Sequence, residues 1–153
     1  LLAWLISGGG PSWAIVAIST LALALDGVDG WFARRQNLVS DFGARFDIEV
    51  DSVFALSLAI NAAWNPQIGV AVILLGLPRY AFVIAGLALP WMRRDLPERF
   101  SRKCVSVVQL AFLIALQAPG LPVTAAMALI ALAAIALVWS FAIDIVWLHR
   151  LRK

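Results

Sequence analysis

An all-α, polytopic transmembrane helical bundle is the fold class this sequence predicts, and three observations carry the prediction. Of the 153 residues, 63% are hydrophobic and only 14% charged, with a mean hydropathy of +0.92. Soluble domains have roughly 45 to 50% apolar and about 25% charged residues. Apolar runs recur along the chain at lengths near the roughly 20 residues that a helix needs to cross a hydrocarbon core. The basic residues, finally, gather in alternate connections between those runs.

Six spans are expected in a single domain, 1–153, with the first span truncated. Leu1 to Ile6 precedes a Ser-Gly-Gly-Gly-Pro break and is far too short to cross, so it reads as the tail of a first helix whose beginning is missing. No charged leader with a cleavage site is visible, and no signal peptide is argued. Gly8 to Ser12 makes a turn, and Trp13 to about Ala33 forms the second span, ending in Arg34 and Arg35. A polar link, Gln36 to Asp41, leads to the third, Phe42 to Trp64, which Asn65 and Pro66 close. The fourth runs from Ile68 to Met92 with Pro78 inside it, a residue that removes one backbone donor and can kink a membrane helix without ending it.

Arg93 to Lys103 is a charged connection suited to a short helix at the interface. The fifth span, Cys104 to Ala118, is short, and Arg102 and Lys103 would snorkel at its start. Pro119 and Gly120 turn the chain; Pro122 opens the sixth span, which reaches about Leu148 before the tail His149 to Lys153. The seven tryptophans lie largely near span ends, as an aromatic belt requires.

Charge then fixes an orientation, because Lys and Arg accumulate in cytoplasmic loops. Arg34, Arg35 and Arg45 flank one link; Arg93, Arg94, Arg99, Arg102 and Lys103 fill another; Arg150, Arg152 and Lys153 follow the last span. The opposite loops carry no charge. Both termini are expected in the cytoplasm, and the membrane is expected to be a bacterial inner (plasma) membrane. The net charge of +3 and pI near 9.8 are accounted for by basic rims facing anionic lipid head groups, so nucleic acid is not an expected partner. Cys104, the single cysteine, excludes an intrachain disulfide and is given no role.

The chemistry concentrates between Asp26 and Asp51, DGVDGWFARRQNLVSDFGARFDIEVD. Ionised groups near hydrocarbon depth cost a few kcal/mol each, about 3 on insertion scales, and are kept where they have partners and a task. Residues three or four apart share a helix face, so Asp26 pairs with Asp29 and Asp47 with Asp51, while Gly30 and Gly43 continue the two ridges. Glycines beside the acids permit close approach of a ligand. Oxygen ligands alone, without His or Cys, point to Mg²⁺ or Mn²⁺, with Ca²⁺ as an option. Mg²⁺ is held by few carboxylates plus substrate phosphate, so four acids suggest two ions and a phosphorylated substrate. Arg34 adds a planar guanidinium suited to a diphosphate, and the chemistry implied is phosphoryl transfer.

These residues resemble a known family. Asp26, Asp29, Gly30, Ala33, Arg34, Gly43, Asp47 and Asp51 reproduce every fixed position and gap of the class I CDP-alcohol phosphatidyltransferase signature, D-x2-D-G-x2-A-R-x8-G-x3-D-x3-D. Each fixed residue type is used at roughly 5 to 10%, so chance agreement at eight positions is negligible. The motif covers about a sixth of the chain; elsewhere the likeness is in hydropathy and loop charge. The resemblance implies transfer of a substituted phosphate, typically phosphatidyl from CDP-diacylglycerol, to an alcohol with release of CMP, in phospholipid biosynthesis. It implies Asp26, Asp29 and Asp47 as metal ligands, Asp51 as both ligand and base for the acceptor hydroxyl, and Gly30, Ala33, Arg34 and Gly43 lining the CDP site. Spacing alone does not select Asp51 over Asp47 as the base.

Outside the motif, Arg79 lies in the fourth span away from the basic rims and should face the bundle interior. It either recognises the acceptor or pairs structurally with an acid, Asp144 being one candidate. Arg102 and Lys103 are read as further acceptor contacts or as snorkelling anchors. Arg45 and Glu49 are in position to support the site through ion pairs; Arg35 and Asp41 read as solvated loop charges, and His149 as interfacial. The abundant basic residues favour a phosphorylated acceptor, glycerol 3-phosphate first and inositol phosphate next. Small residues along the sixth span, such as Ala126 and Ala133, are compatible with a homodimer. Two other readings stand beside this one: an intramembrane Mg²⁺-dependent prenyltransferase, and a divalent-cation transporter with the acids as its permeation site.

Overall fold

The computed structural model describes residues 10–35, 41–88 and 100–150, and every regular element among them is helical. Pro11 and Ser12 start the first. The Ser12 hydroxyl accepts from the Ala14 amide at 3.2 Å and its carbonyl from the Val16 amide at 3.1 Å, a serine cap that satisfies donors a helix start leaves over. From there α1 runs Trp13–Arg35, and α2 returns as Asp41–Ala63. Asn65 ends α2: its side chain accepts from the Gln67 amide, its carbonyl from the amides of Ile68 and Gly69, and Gly69 takes φ of 76°. Glycine adopts that left-handed conformation without the Cβ clash other residues meet.

The fourth expected span is where sequence and structure differ. Instead of one kinked helix, Val70–Gly76 is a 3₁₀ helix and α3 starts afresh as Pro78–Ala88. Proline at position 78 offers no N–H and its ring excludes the carbonyl four residues back, so it tolerates only the first turn of an α-helix. The chain before it tightens, and the Leu77 amide reaches Leu74 at 3.4 Å. A seven-residue 3₁₀ run is long for this conformation. Two contacts support it. Gly76 lies against Leu56 and Ala59 of α2, and the Gln109 side-chain amide donates to the Leu75 carbonyl.

Gln109 belongs to α4, Phe100–Ala115, and α5 completes the chain as Val123–Arg150. The expected interfacial helix and the first span fall mostly outside the described residues; Phe100 to Lys103 are continuous with α4. Gly120, at φ 79°, turns α4 into α5. By length and composition α1 and α5 can each cross a membrane, through Trp13–Gly30 and Val123–Trp147. Only 11% of each of these windows is buried, so their apolar side chains, Leu21, Leu25, Ile135 and Val138 among them, point outward. Outward-facing apolar helices suit lipid and are costly in water.

The core gathers at one end. Ile15 of α1, Leu58 and Ala62 of α2, Leu113 of α4 with Leu116 just past its end, and Ala126 and Ala133 of α5 are buried together. Gln117 ties this end. Its backbone carbonyl accepts from Ser12 at 2.9 Å, and its side-chain amide donates to the carbonyls of Leu58 at 2.9 Å and Leu113 at 3.0 Å. The opposite end, where α1 finishes and α2 begins, is open: every residue of α2 described between Phe42 and Val50 is exposed. That asymmetry leaves the acidic stretch accessible on a well-packed base.

Candidate functional site

Asp26 sits near the end of α1, and Asp47 and Asp51 lie one turn apart near the start of α2. Because α1 and α2 are successive and antiparallel, the two acidic stretches come to the same height. The carboxylates of Asp26, Asp47 and Asp51 converge so that one oxygen from each lies within 4.8 Å of the others. Asp26 and Asp47 are exposed, and Asp51 is half-buried. Three ionised carboxylates this close repel, and a divalent cation between them converts the repulsion into ligation.

The donor set is all oxygen, which suits Mg²⁺ or Mn²⁺. Asp29, one turn beyond Asp26, falls outside the set of three; it lies near enough for its charge to act on Asp26. Gly30 follows in α1 and Gly43 stands in the first turn of α2. Ala33 and Arg34 belong to the last turn of α1, with side chains outside the described residues. A cavity of about 90 Å³ at the other end, lined by Pro11, Asn65, Leu116 and Ala126 among others, has no carboxylate in its lining.

The profile of the CDP-alcohol phosphatidyltransferase family matches residues 1–146. The chain belongs to this family. No curated protein and no solved structure matches it. Membership establishes a CDP-alcohol phosphotransferase activity in general and a place in phospholipid biosynthesis, and the family is metal-dependent. The apolar helices agree with a membrane enzyme.

Arg79, in the first turn of α3, gives its Nη2 to Glu49 Oε1 at 2.6 Å and its Nε to the same oxygen at 3.2 Å. So the structural pairing expected for Arg79 exists, with Glu49 as the acid. Asp144, the acid first considered for it, is buried on α5 and has an interaction of its own. Lys103 is exposed in the first turn of α4 with Arg102 beside it, whose side chain is outside the described residues.

Helix geometry qualifies the Arg79 contact. At about 100° per residue, Glu49 projects roughly 160 to 200° around α2 from Asp51 and Asp47. Arg79 therefore grips α2 on the side turned away from the carboxylates. Sequence reasoning gave Gln109 and Gln117 no role. Their signal was available: each is an amide within or just beyond an apolar helix, where a polar side chain needs a backbone partner.

Proposed function

We propose that this protein is a Mg²⁺- or Mn²⁺-dependent phosphatidyltransferase, taking CDP-diacylglycerol as donor and a phosphorylated alcohol as acceptor. Glycerol 3-phosphate is the first choice of acceptor and inositol phosphate the second. The observation that carries this reading is the convergence of Asp26, Asp47 and Asp51 within 4.8 Å across two helices. In the reaction the acceptor hydroxyl oxygen attacks the phosphorus bearing the lipid, the bond to the CMP phosphate oxygen breaks, and the acceptor proton leaves.

Asp26, Asp29, Asp47 and Asp51 would hold the metal as two ions, and the bound cations would supply charge neutralisation at the diphosphate. Asp51 would take the acceptor proton; it is the most shielded of the three converging acids, and a proton acceptor must lie within hydrogen-bond reach of the hydroxyl. Gly30 and Gly43 leave room for the nucleotide, with Ala33 alongside, and Arg34 offers the fork geometry that diphosphate oxygens accept. Lys103 and Arg102 at the start of α4 supply charge for an acceptor phosphate, whereas Arg79 is engaged by Glu49. Basic helix ends support an active site on the cytoplasmic face of the membrane.

A cation-transporter reading asks for the acids on a discontinuous span near the bilayer centre. Here the broken segment is Val70–Pro78, while the acids ride on the continuous helices α1 and α2. The prenyltransferase reading lacks the CDP-alcohol spacing. The test incubates protein in micelles with radiolabelled CDP-diacylglycerol and a panel of alcohols, with and without Mg²⁺. Metal-dependent CMP release with a phosphorylated acceptor is expected. No CMP release with any acceptor would refute the proposal.

A further inference from the structure

We infer that Glu49 and Arg79 are a pair of positioning residues, an inter-helix clamp that sets the rotation of α2 and so aims Asp47 and Asp51 at Asp26. The inference rests on reading those aspartates as metal ligands. Its starting point is an imbalance along α2. Burial in that helix is concentrated from Ala55 onward, at Ala55, Leu58, Ala59 and Ala62, whereas every described residue from Phe42 to Val50 is exposed. The half that carries Asp47 is thus not held by core packing. The 2.6 Å ion pair to α3 falls within that half.

Rotation is the motion that matters. A carboxylate stands about 5 Å from the axis of its helix, so turning α2 by about 20° displaces it by roughly 2 Å. Mg²⁺ and Mn²⁺ sites tolerate a few tenths of an ångström, on the order of 0.2 Å. Contacts on one face alone leave a helix free to roll; contacts on two faces do not. Gln117 holds the Leu58 carbonyl, and Leu58 lies on the same side of α2 as Asp51, seven residues on. Glu49 lies on the other side, seven residues before Leu56, where Gly76 packs. Spacing by seven returns to nearly the same face. The 3₁₀ segment and the first turn of α3 therefore touch one stripe of α2 at two heights, with Arg79 as the upper contact nearest the metal ligands.

Both partners are suited to this task. The Arg79 and Glu49 side chains are 36% and 52% exposed, so the pair acts by fixing geometry rather than by a large energy of its own. Arg79 is fixed at its base by Pro78 and by the Ala81 to Leu77 hydrogen bond at 2.9 Å that begins α3. Gln109 secures Leu75 just upstream. Through this short rigid segment α4 also bears on the clamp.

The test uses the full chain in micelles and two readouts, Mn²⁺ affinity and hydrogen exchange of the amides at 43–51. The variants are Glu49→Gln, Arg79→Gln, and the exchanged pair Glu49→Arg with Arg79→Glu. Each single change should weaken Mn²⁺ binding about tenfold, the lower end of what is lost when a group orienting a metal ligand is removed. It should also speed exchange at 43–51, and the exchanged pair should restore both to within about threefold of the original. Single variants that bind Mn²⁺ and exchange like the original, with only a lower unfolding midpoint, would overturn the clamp. So would single variants that are impaired but not rescued by the exchanged pair, since each side chain would then act alone, Arg79 for instance on an acceptor anion. If the original protein binds no Mn²⁺, the metal reading fails separately, and the exchange rates alone decide: unchanged rates overturn the clamp and faster rates sustain it.

Discussion

Alanine in place of Gly76 puts a methyl group into space that the packing of the 3₁₀ segment on α2 has closed. A Cβ built there meets the Leu56 Cα at 2.7 Å, the Ala59 Cβ at 3.1 Å and the Leu56 Cδ1 at 3.1 Å. Carbon atoms prefer roughly 3.5 to 4.0 Å, so the nearest contact is short by about 1 Å. Leu56 Cδ1 can move with its rotamer. The Cα of Leu56 cannot, because it belongs to the backbone of α2, so the segment must lift as a unit. Forced methylenes in a packed interior cost typically 1 to 3 kcal/mol, roughly a 5- to 150-fold shift in the unfolding equilibrium.

The assay is SDS-induced unfolding of the protein in mixed micelles, followed by circular dichroism. Gly27→Ala serves as the comparison, since nothing lies within 4 Å of a Cβ there and the residue is within α1. Alanine at a helical site stabilises by about 0.5 to 1 kcal/mol relative to glycine, so the two variants should move in opposite directions. Equal midpoints for Gly76→Ala and the original protein would refute the close packing of the 3₁₀ segment on α2, and with it the lower of the two contacts that orient that helix.

Three further outcomes are expected. Asp51→Asn should reduce CMP release by about 10² to 10⁴, the usual contribution of a general base, while CDP-donor binding stays measurable; loss of donor binding equal to that of Asp26→Ala would leave Asp51 as a ligand only. Chelation with excess EDTA should abolish CMP release, and added Mn²⁺ should restore it; activity that survives exhaustive chelation would contradict an oxygen-ligated metal site. Gln117→Leu should destabilise by about 1 to 3 kcal/mol in the SDS assay, because the buried carbonyl of Leu58 loses its side-chain donor without a replacement. An unchanged midpoint there would mean that this hydrogen bond does not hold the packed end together.

The signature residues were legible because their chemistry needs fixed spacing on helices, and spacing is what a sequence displays. Asp26 with Asp47 and Asp51 could be read as facing ridges before any coordinates, since steps of three and four place side chains on one face. Asp29 on the same ridge as Asp26 could be read equally well, yet it stays outside the group of three. Periodicity gives a face, and the roughly 60° between residues three apart decides which side chain points at a neighbour. The helices α1, α2, α4 and α5 follow the apolar runs closely. The segment around Pro78 does not, because hydropathy measures how apolar a stretch is and is blind to whether it winds as 3₁₀ or α. The partner of Arg79 escaped for a similar reason: Asp144 was the acid considered and Glu49 was not, because only the docking of α3 on α2 brings Glu49 within reach.

The broken span has a consequence for length. Seven 3₁₀ residues rising about 2.0 Å each and eleven α residues rising about 1.5 Å each extend roughly 30 Å, which matches the thickness of a bilayer's hydrocarbon core. Wound as α throughout, the same residues would fall short by some 3 to 4 Å. The tighter coil thus carries the chain farther per residue along this stretch, and α3 begins with Arg79 within reach of Glu49 on α2.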